Sequence, residues 1–167
     1  MMNRVDKLLE QMVGAVQKGR PQIALSLAAG MDEAGSHAGF SHVLGVAHAM
    51  LAQLDQALVH LENACALNPQ EVQYFVDCAN ILVRQNQHAR AVDVWEQALV
   101  LVKDDIGLWH QLAQSQIATN QNNAALNSYR SALALEPNHP DLWCNFAAIL
   151  KRTGSLSESL DAWQKAL

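Results

Sequence analysis

The chain has 167 residues, half of them apolar, which is enough to bury the core of one domain and excludes a disordered tail. Its 11 Lys+Arg against 16 Asp+Glu give a formal charge of -5, which repels a phosphate backbone and argues against nucleic acid as a partner. No run approaches the roughly 20 apolar residues of a membrane span. Asp6, Lys7 and Glu10 interrupt the apolar pattern of the N-terminus, so it has no signal-peptide core.

In chain order, residues 5–37 predict a helical hairpin. Leu8, Met12 and Ala15 share one helical face, "KGRP" supplies a turn, and Ala24 and Ala28 share a second face. This hairpin, counted as residues 1–37, reads as a degenerate capping repeat one residue short of the units that follow.

From residue 38 the chain repeats itself every 34 residues, with units starting at 38, 72, 106 and 140 and the last truncated at 167. The stretch "ALALEPNHPDLW" (132–143) is one joint of the array. Pro137 and Pro140 cannot lie inside a helix, so one helix ends near Leu135 and the next begins near Pro140. The corresponding joints are "ALVLVKDDIGLW" and "ACALNPQEVQYF", each closed by an aromatic: Phe75, Trp109 or Trp143.

Within a unit, positions 4, 7, 8 and 11 form the inner face of a first helix: Trp143, Phe146, Ala147 and Leu150 in the last unit, and Ser41, Leu44, Gly45 and His48 in the first. Ser41 and His48 are weak members of that pattern. Gly45 leaves room for close approach of a neighbouring helix. Positions 20, 24 and 27 alternate small, large, small on a second helix, as in Ala91, Trp95, Ala98 and in Ala125, Tyr129, Ala132, the alternation by which facing helices interdigitate. Segments such as "RQNQH", "ATNQNN" and "RTGS" supply the turns between them.

This pattern resembles the tetratricopeptide repeat, on Trp109, Leu112, Ala113, Ala125, Tyr129, Ala132 and Pro137 in one unit and Leu44, Gly45, Ala57, Ala64 and Pro69 in another. The resemblance implies an all-α fold, a right-handed superhelix (α-solenoid) of stacked antiparallel helical hairpins. Lys103 stands where the family has proline and Ser159 where it has alanine, which predicts looser joints at those two places.

Chemistry is sparse. There is no Gly-rich phosphate loop, no GxSxG and no HExxH, so neither an enzyme nor a cofactor is expected. His42 and His110 share position 5 but stand two repeats, on the order of 20 Å, apart at ~10 Å per helix layer, too far for shared ligation. His110 and Cys144 occupy that position in adjacent units and are expected to face each other, two ligands short of a zinc site. Cys65, Cys78 and Cys144 are odd in number and form no CxxC, which fits a reducing compartment, cytoplasm by default, and reads as three partly buried small residues.

What remains is a surface. The resemblance implies that first helices line a concave groove, with positions 2, 5, 6, 9, 12 and 13 facing outward. Position 6 gives Val43, Asp77, Gln111 and Asn145, and position 9 gives Val46, Asn80, Gln114 and Ala148. Amides there can pair with an extended peptide backbone, a partial form of the ladder in the repeat domain of O-linked N-acetylglucosamine transferases. The lysine and arginine clamp of chaperone-binding members is absent, since position 5 offers His42, Val76, His110 and Cys144. The candidate peptide-binding residues are His42, Asp77, Asn80, Arg84, His110, Gln111, Gln114, Asn145 and Arg152.

The leading expectation is a non-catalytic interaction module that takes a peptide segment of another protein in its groove. One alternative is the substrate-presenting N-terminal domain of a larger bacterial enzyme such as a glycosyltransferase. Another is a self-association scaffold. Because the fourth unit stops at its position 28, the reading predicts an uncovered apolar face of Leu160, Trp163 and Leu167, a piece of a longer protein, and a two-fold dimer through the C-terminal hairpin.

Overall fold

The computed structural model describes residues 4–29 and 36–167. Residues 1–3 and 30–35, which the sequence reading includes in the N-terminal hairpin, lie outside the described residues. Among the described residues there are ten helices and no strand. These are α1 (Arg4–Gln17), α2 (Pro21–Ala28), α3 (Ala38–Met50), α4 (Leu54–Leu67), α5 (Val72–Arg84), α6 (His88–Leu101), α7 (Ile106–Ala118), α8 (Asn122–Leu135), α9 (Pro140–Arg152) and α10 (Leu156–Lys165). From α3 onward, first helices begin at 38, 72, 106 and 140 and second helices at 54, 88, 122 and 156, a constant step of 34 residues. The chain divides into two compact units, residues 1–86 and 87–167.

The first unit holds α1 to α5. Met12 and Ala15 of α1, Ala24 and Ala28 of α2, and Phe40, Val43, Leu44 and Ala47 of α3 form one core. Val43, expected to face outward at position 6, is only 6 % exposed because the N-terminal hairpin lies against that face of α3. The close approach at Gly45 is real: a Cβ there would lie 2.6 Å from Leu61 Cγ, so nothing larger than glycine lets α4 pack where it does. Ser41, a weak apolar member of the sequence pattern, is fully buried and accepts a hydrogen bond from Asn63 Nδ2 at 2.8 Å, which satisfies its hydroxyl.

The second unit holds α6 to α10. Its core runs from Ala113 of α7 through Ala125, Tyr129 and Ala132 of α8 to Phe146, Ala147 and Leu150 of α9 and Ala162 of α10. Trp95 of α6 is 1 % exposed between the equally buried Ala91 and Ala98, as the small, large, small alternation requires. Ser159, predicted to loosen its joint, does not. It is buried, and its hydroxyl donates to the Ala147 carbonyl at 2.8 Å, fastening α10 to α9.

Each hairpin turn reverses through a left-handed residue at position 15: Ala52 (φ 58°), Asn86 (57°), Asn120 (62°) and Gly154 (89°). A backbone N–H one residue on then returns to a carbonyl five residues earlier, as in Gln53 to His48 (3.0 Å), Gln121 to Gln116 (2.8 Å) and Ser155 to Leu150 (2.9 Å), closing the helix end. The longer joints between hairpins of the second unit are held differently. The Trp143 indole N–H donates to the Pro137 carbonyl at 2.7 Å, and the Trp109 indole N–H to the Lys103 carbonyl at 2.8 Å. Lys103 therefore does not loosen its joint, because the aromatic grips a main-chain oxygen that any residue supplies.

Candidate functional site

The nine candidate residues fall on first helices of the two units, and the structure brings His42 together with Asp77 in one and His110 with Gln114 and Asn145 in the other. In the first unit His42 of α3 meets Asp77 of α5, with the ring Nε2–H donating to the carboxylate at 2.7 Å. The His42 ring also lies 4.6 Å from that of Tyr74, tilted by 30°, so the imidazole is held from two sides. Burial pushes the Tyr74 hydroxyl up from its ordinary value, helped by Glu71, so that phenol stays neutral. Asn80 is exposed, and Arg84 reaches back to the Ala49 carbonyl at 3.5 Å.

In the second unit His110 is the centre. Its Nε2 accepts from the Gln114 amide at 3.1 Å and from the Asn145 amide at 3.3 Å, and Gln114 also donates to the Tyr129 hydroxyl at 3.2 Å. Two donors on one ring nitrogen require that nitrogen to be unprotonated, which places the proton on Nδ1. Burial lowers the His110 pKa, and His139 adds to this, both favouring the same neutral form. The residue of α9 that meets His110 is thus Asn145 at position 6, not Cys144 at position 5 as expected. Gln111 is exposed beside this cluster. Arg152 extends to the Ile117 carbonyl at 3.5 Å and to the Asn122 side chain.

The two clusters obey one rule. Position 5 of a first helix meets position 6 of the next first helix in the same unit (His42 with Asp77, His110 with Asn145), and the arginine at position 13 meets the carbonyl at position 12 (Arg84 with Ala49, Arg152 with Ile117). These lateral contacts hold the polar residues in register and leave Asn145 a second N–H, and both Gln114 and Asn145 a carbonyl oxygen, for a partner. Tyr74 at position 3 and Tyr129, which reads as pure core, are not among the candidates that the sequence offers; burial pushes the Tyr129 hydroxyl pKa up to about 12, and its ring lies 5.9 Å from that of His110 while its oxygen accepts from Gln114.

A second kind of site was not foreseen. The second unit carries a pocket of about 470 Å³ lined by Leu99, Trp109 and Leu112, and another of about 430 Å³ lined by Leu133, Trp143 and Phe146. Every lining residue of the smaller pocket corresponds to one of the larger at an offset of 34, while Lys103 and Gln116 line only the larger, so this is one pocket made twice with a wider rim in one copy. The rims differ: Glu96 and Lys103 on one, and Arg130, Lys165, Glu158 and Asp161 on the other. Arg130 lies over the Phe146 ring at 5.6 Å and Lys165 over Trp143 at 4.5 Å, covering aromatic faces that would otherwise be bare.

Helical hairpins of this length, packed through alternating small and large residues and carrying polar first-helix faces, define a helical repeat scaffold. Residues 114–154 match the sequence model described as a TPR repeat. Among solved structures, the chain is similar to one titled MamA AMB-1 P212121, at 20% identity over 98% of this chain and 90% of that one, with a TM-score of 0.85. It is also similar to MamA 41-end from Desulfovibrio magneticus RS-1, at 16% identity over 99% and 95% with a TM-score of 0.81. No curated protein sequence matches the chain. Residues 114–154 thus match a tetratricopeptide repeat, and the chain has the all-α hairpin fold of the solved structures it resembles.

Proposed function

We propose that the chain is a non-catalytic interaction module that binds an extended peptide segment along the first-helix faces of its repeats. The observation that carries this reading is the His110 cluster, where Gln114 and Asn145 are fixed by a neutral imidazole and still offer amide groups beside the exposed Gln111. In the first unit Asp77, Asn80 and Arg84 supply the corresponding row. The rows are polar and directional, suited to main-chain N–H and C=O groups rather than to a bond-breaking step. The three free thiols fit work in a reducing compartment such as the cytoplasm, and among the described residues no helix is long and apolar enough to cross a membrane.

The test uses a peptide selected on the protein from a displayed random library. The combined change Asn80→Ala, Gln114→Ala and Asn145→Ala is expected to weaken that peptide by about 1 to 4 kcal/mol, at ~1 kcal/mol per net hydrogen bond, with helical circular dichroism unchanged. Equal affinity by calorimetry overturns binding along the first helices and moves the peptide to the tryptophan pockets.

A second reading, self-association through the C-terminal hairpin, is supported by one observation. Leu156, Leu160 and Trp163 are 62, 65 and 42 % exposed and recur at steps of four and three along α10, one uncovered apolar stripe.

A further inference from the structure

The pocket that the second unit makes twice points to a pair of residues elsewhere. In both copies position 28 of one hairpin lines the same pocket as position 7 of the next first helix: Leu99 with Leu112, and Leu133 with Phe146. In the first unit those two positions are Cys65 of α4 and Cys78 of α5. The repeat register thus sets two thiols face to face between helices that pack against each other, and their side chains are hydrogen-bonded. Neither is in a disulfide, Cys78 is 1 % exposed, and Cys65 is half-buried, reachable by a small molecule.

The two thiols are not equivalent. The hydrogen bond from Cys78 lowers the Cys65 pKa, outweighing burial and the Glu62 and Asp77 carboxylates, which act in the opposite direction. The Asp77 carboxylate is moreover engaged by His42 at 2.7 Å. Cys65 is therefore the nucleophile of the pair, and Cys78, withdrawn from solvent, is the thiol that can reach it.

We propose that Cys65 and Cys78 are a hydroperoxide-sensitive thiol pair that closes to a reversible disulfide between α4 and α5. The Cys65 thiolate attacks one oxygen of the hydroperoxide and the O–O bond breaks, giving Cys65 sulfenic acid and an alkoxide or hydroxide that takes up a proton. The Cys78 sulfur then attacks the Cys65 sulfur; the S–O bond breaks, and the departing hydroxide leaves as water with the Cys78 proton. Two thiols and one hydroperoxide become one disulfide, one alcohol or water, and one water, with two electrons passing from sulfur to the peroxide. The product adds a covalent crosslink between α4 and α5 to the packing already between them.

The experiment treats the whole chain with one equivalent of hydrogen peroxide, then alkylates it and maps it by mass spectrometry. The expected result is loss of two hydrogens from the intact monomer, loss of alkylation at Cys65 and Cys78 with Cys144 still labelled, a Cys65–Cys78 crosslinked peptide, and full recovery of labelling with dithiothreitol. Cys78→Ser is expected to stop at a sulfenic acid on Cys65 that dimedone traps. Should that variant fail to fold, the wild-type peptide map decides alone. The proposal is overturned if Cys65 and Cys78 remain fully alkylated, if oxidation runs to sulfinic acid on Cys65 with no crosslink, or if the disulfide that forms joins Cys144 of two chains.

Discussion

Trp95 shows what one side chain contributes. It is buried, and among the described residues its indole N–H has no hydrogen-bond partner, so its stabilisation comes from packing against a penalty for a desolvated donor. Trp95→Ala is expected to cost about 3 to 5 kcal/mol in chemical denaturation through the cavity it leaves. Trp95→Phe, which keeps a ring and removes the orphan donor, should cost much less. A loss below about 1 kcal/mol for the alanine variant would place Trp95 outside the packing. His110 contributes through its charge state. Its pKa in the folded chain lies below the ordinary 6.5, as does that of His60, where burial is the larger cause and His48 the smaller. Below pH 6.5 the unfolded chain then binds protons that the folded chain resists, so stability falls as pH drops through and below that value and is flat above it. Denaturation midpoints between pH 5 and pH 8 should show this slope in the wild type, and the double change His60→Asn with His110→Asn should flatten it.

At the scale of the element, the turns separate what the sequence displays from what it hides. Asn86, Asn120 and Gly154 announce their left-handed turns, since these residue types tolerate that backbone. Ala52 adopts the same conformation at φ 58° inside "LAQLDQ", which carries no turn signal, and only the 34-residue register reveals it. An alanine there is strained by roughly 1 to 2 kcal/mol. Ala52→Gly is expected to raise stability by about 1 kcal/mol, part of the relief being lost to the freer unfolded chain; a lowered midpoint would mean the turn is not under strain. Helix positions were legible because the apolar period is strict, and α8 and α9 end and begin at Leu135 and Pro140, where the prolines demand it. The orientation of Val43 was not legible, since it depends on a hairpin earlier in the chain lying across α3. The partner of His110 was missed for a related reason: two first helices meet with an offset of one residue, which a comparison of like positions cannot show.

For the whole molecule, the repeat was fully legible and the binding face only partly so. Periodicity records which residues are alike, and alike residues are mostly core. The proposed binding would depend on residues that differ from unit to unit, such as Asp77 against Asn145, and periodicity does not single these out. The exposed stripe on α10 is testable at this scale. If it pairs two copies, light scattering at micromolar concentration should give twice the chain mass, and Leu160→Glu should return it to a monomer by placing a charge in the apolar contact. A monomer whose mass Leu160→Glu leaves unchanged would remove self-association through this hairpin.

The indole-to-carbonyl contact at the joints has a consequence for how such a chain can vary. Both joints of the second unit are latched by a tryptophan closing on the oxygen of a residue six places earlier, and that oxygen belongs to the backbone whatever side chain is attached. The latched residue is thereby free to drift. At Lys103 the side chain stands at the rim of a tryptophan pocket, where it places a positive charge. At the corresponding Pro137 no charge is offered. A single fastening thus lets neighbouring hairpins keep the same joint while presenting different charges at it.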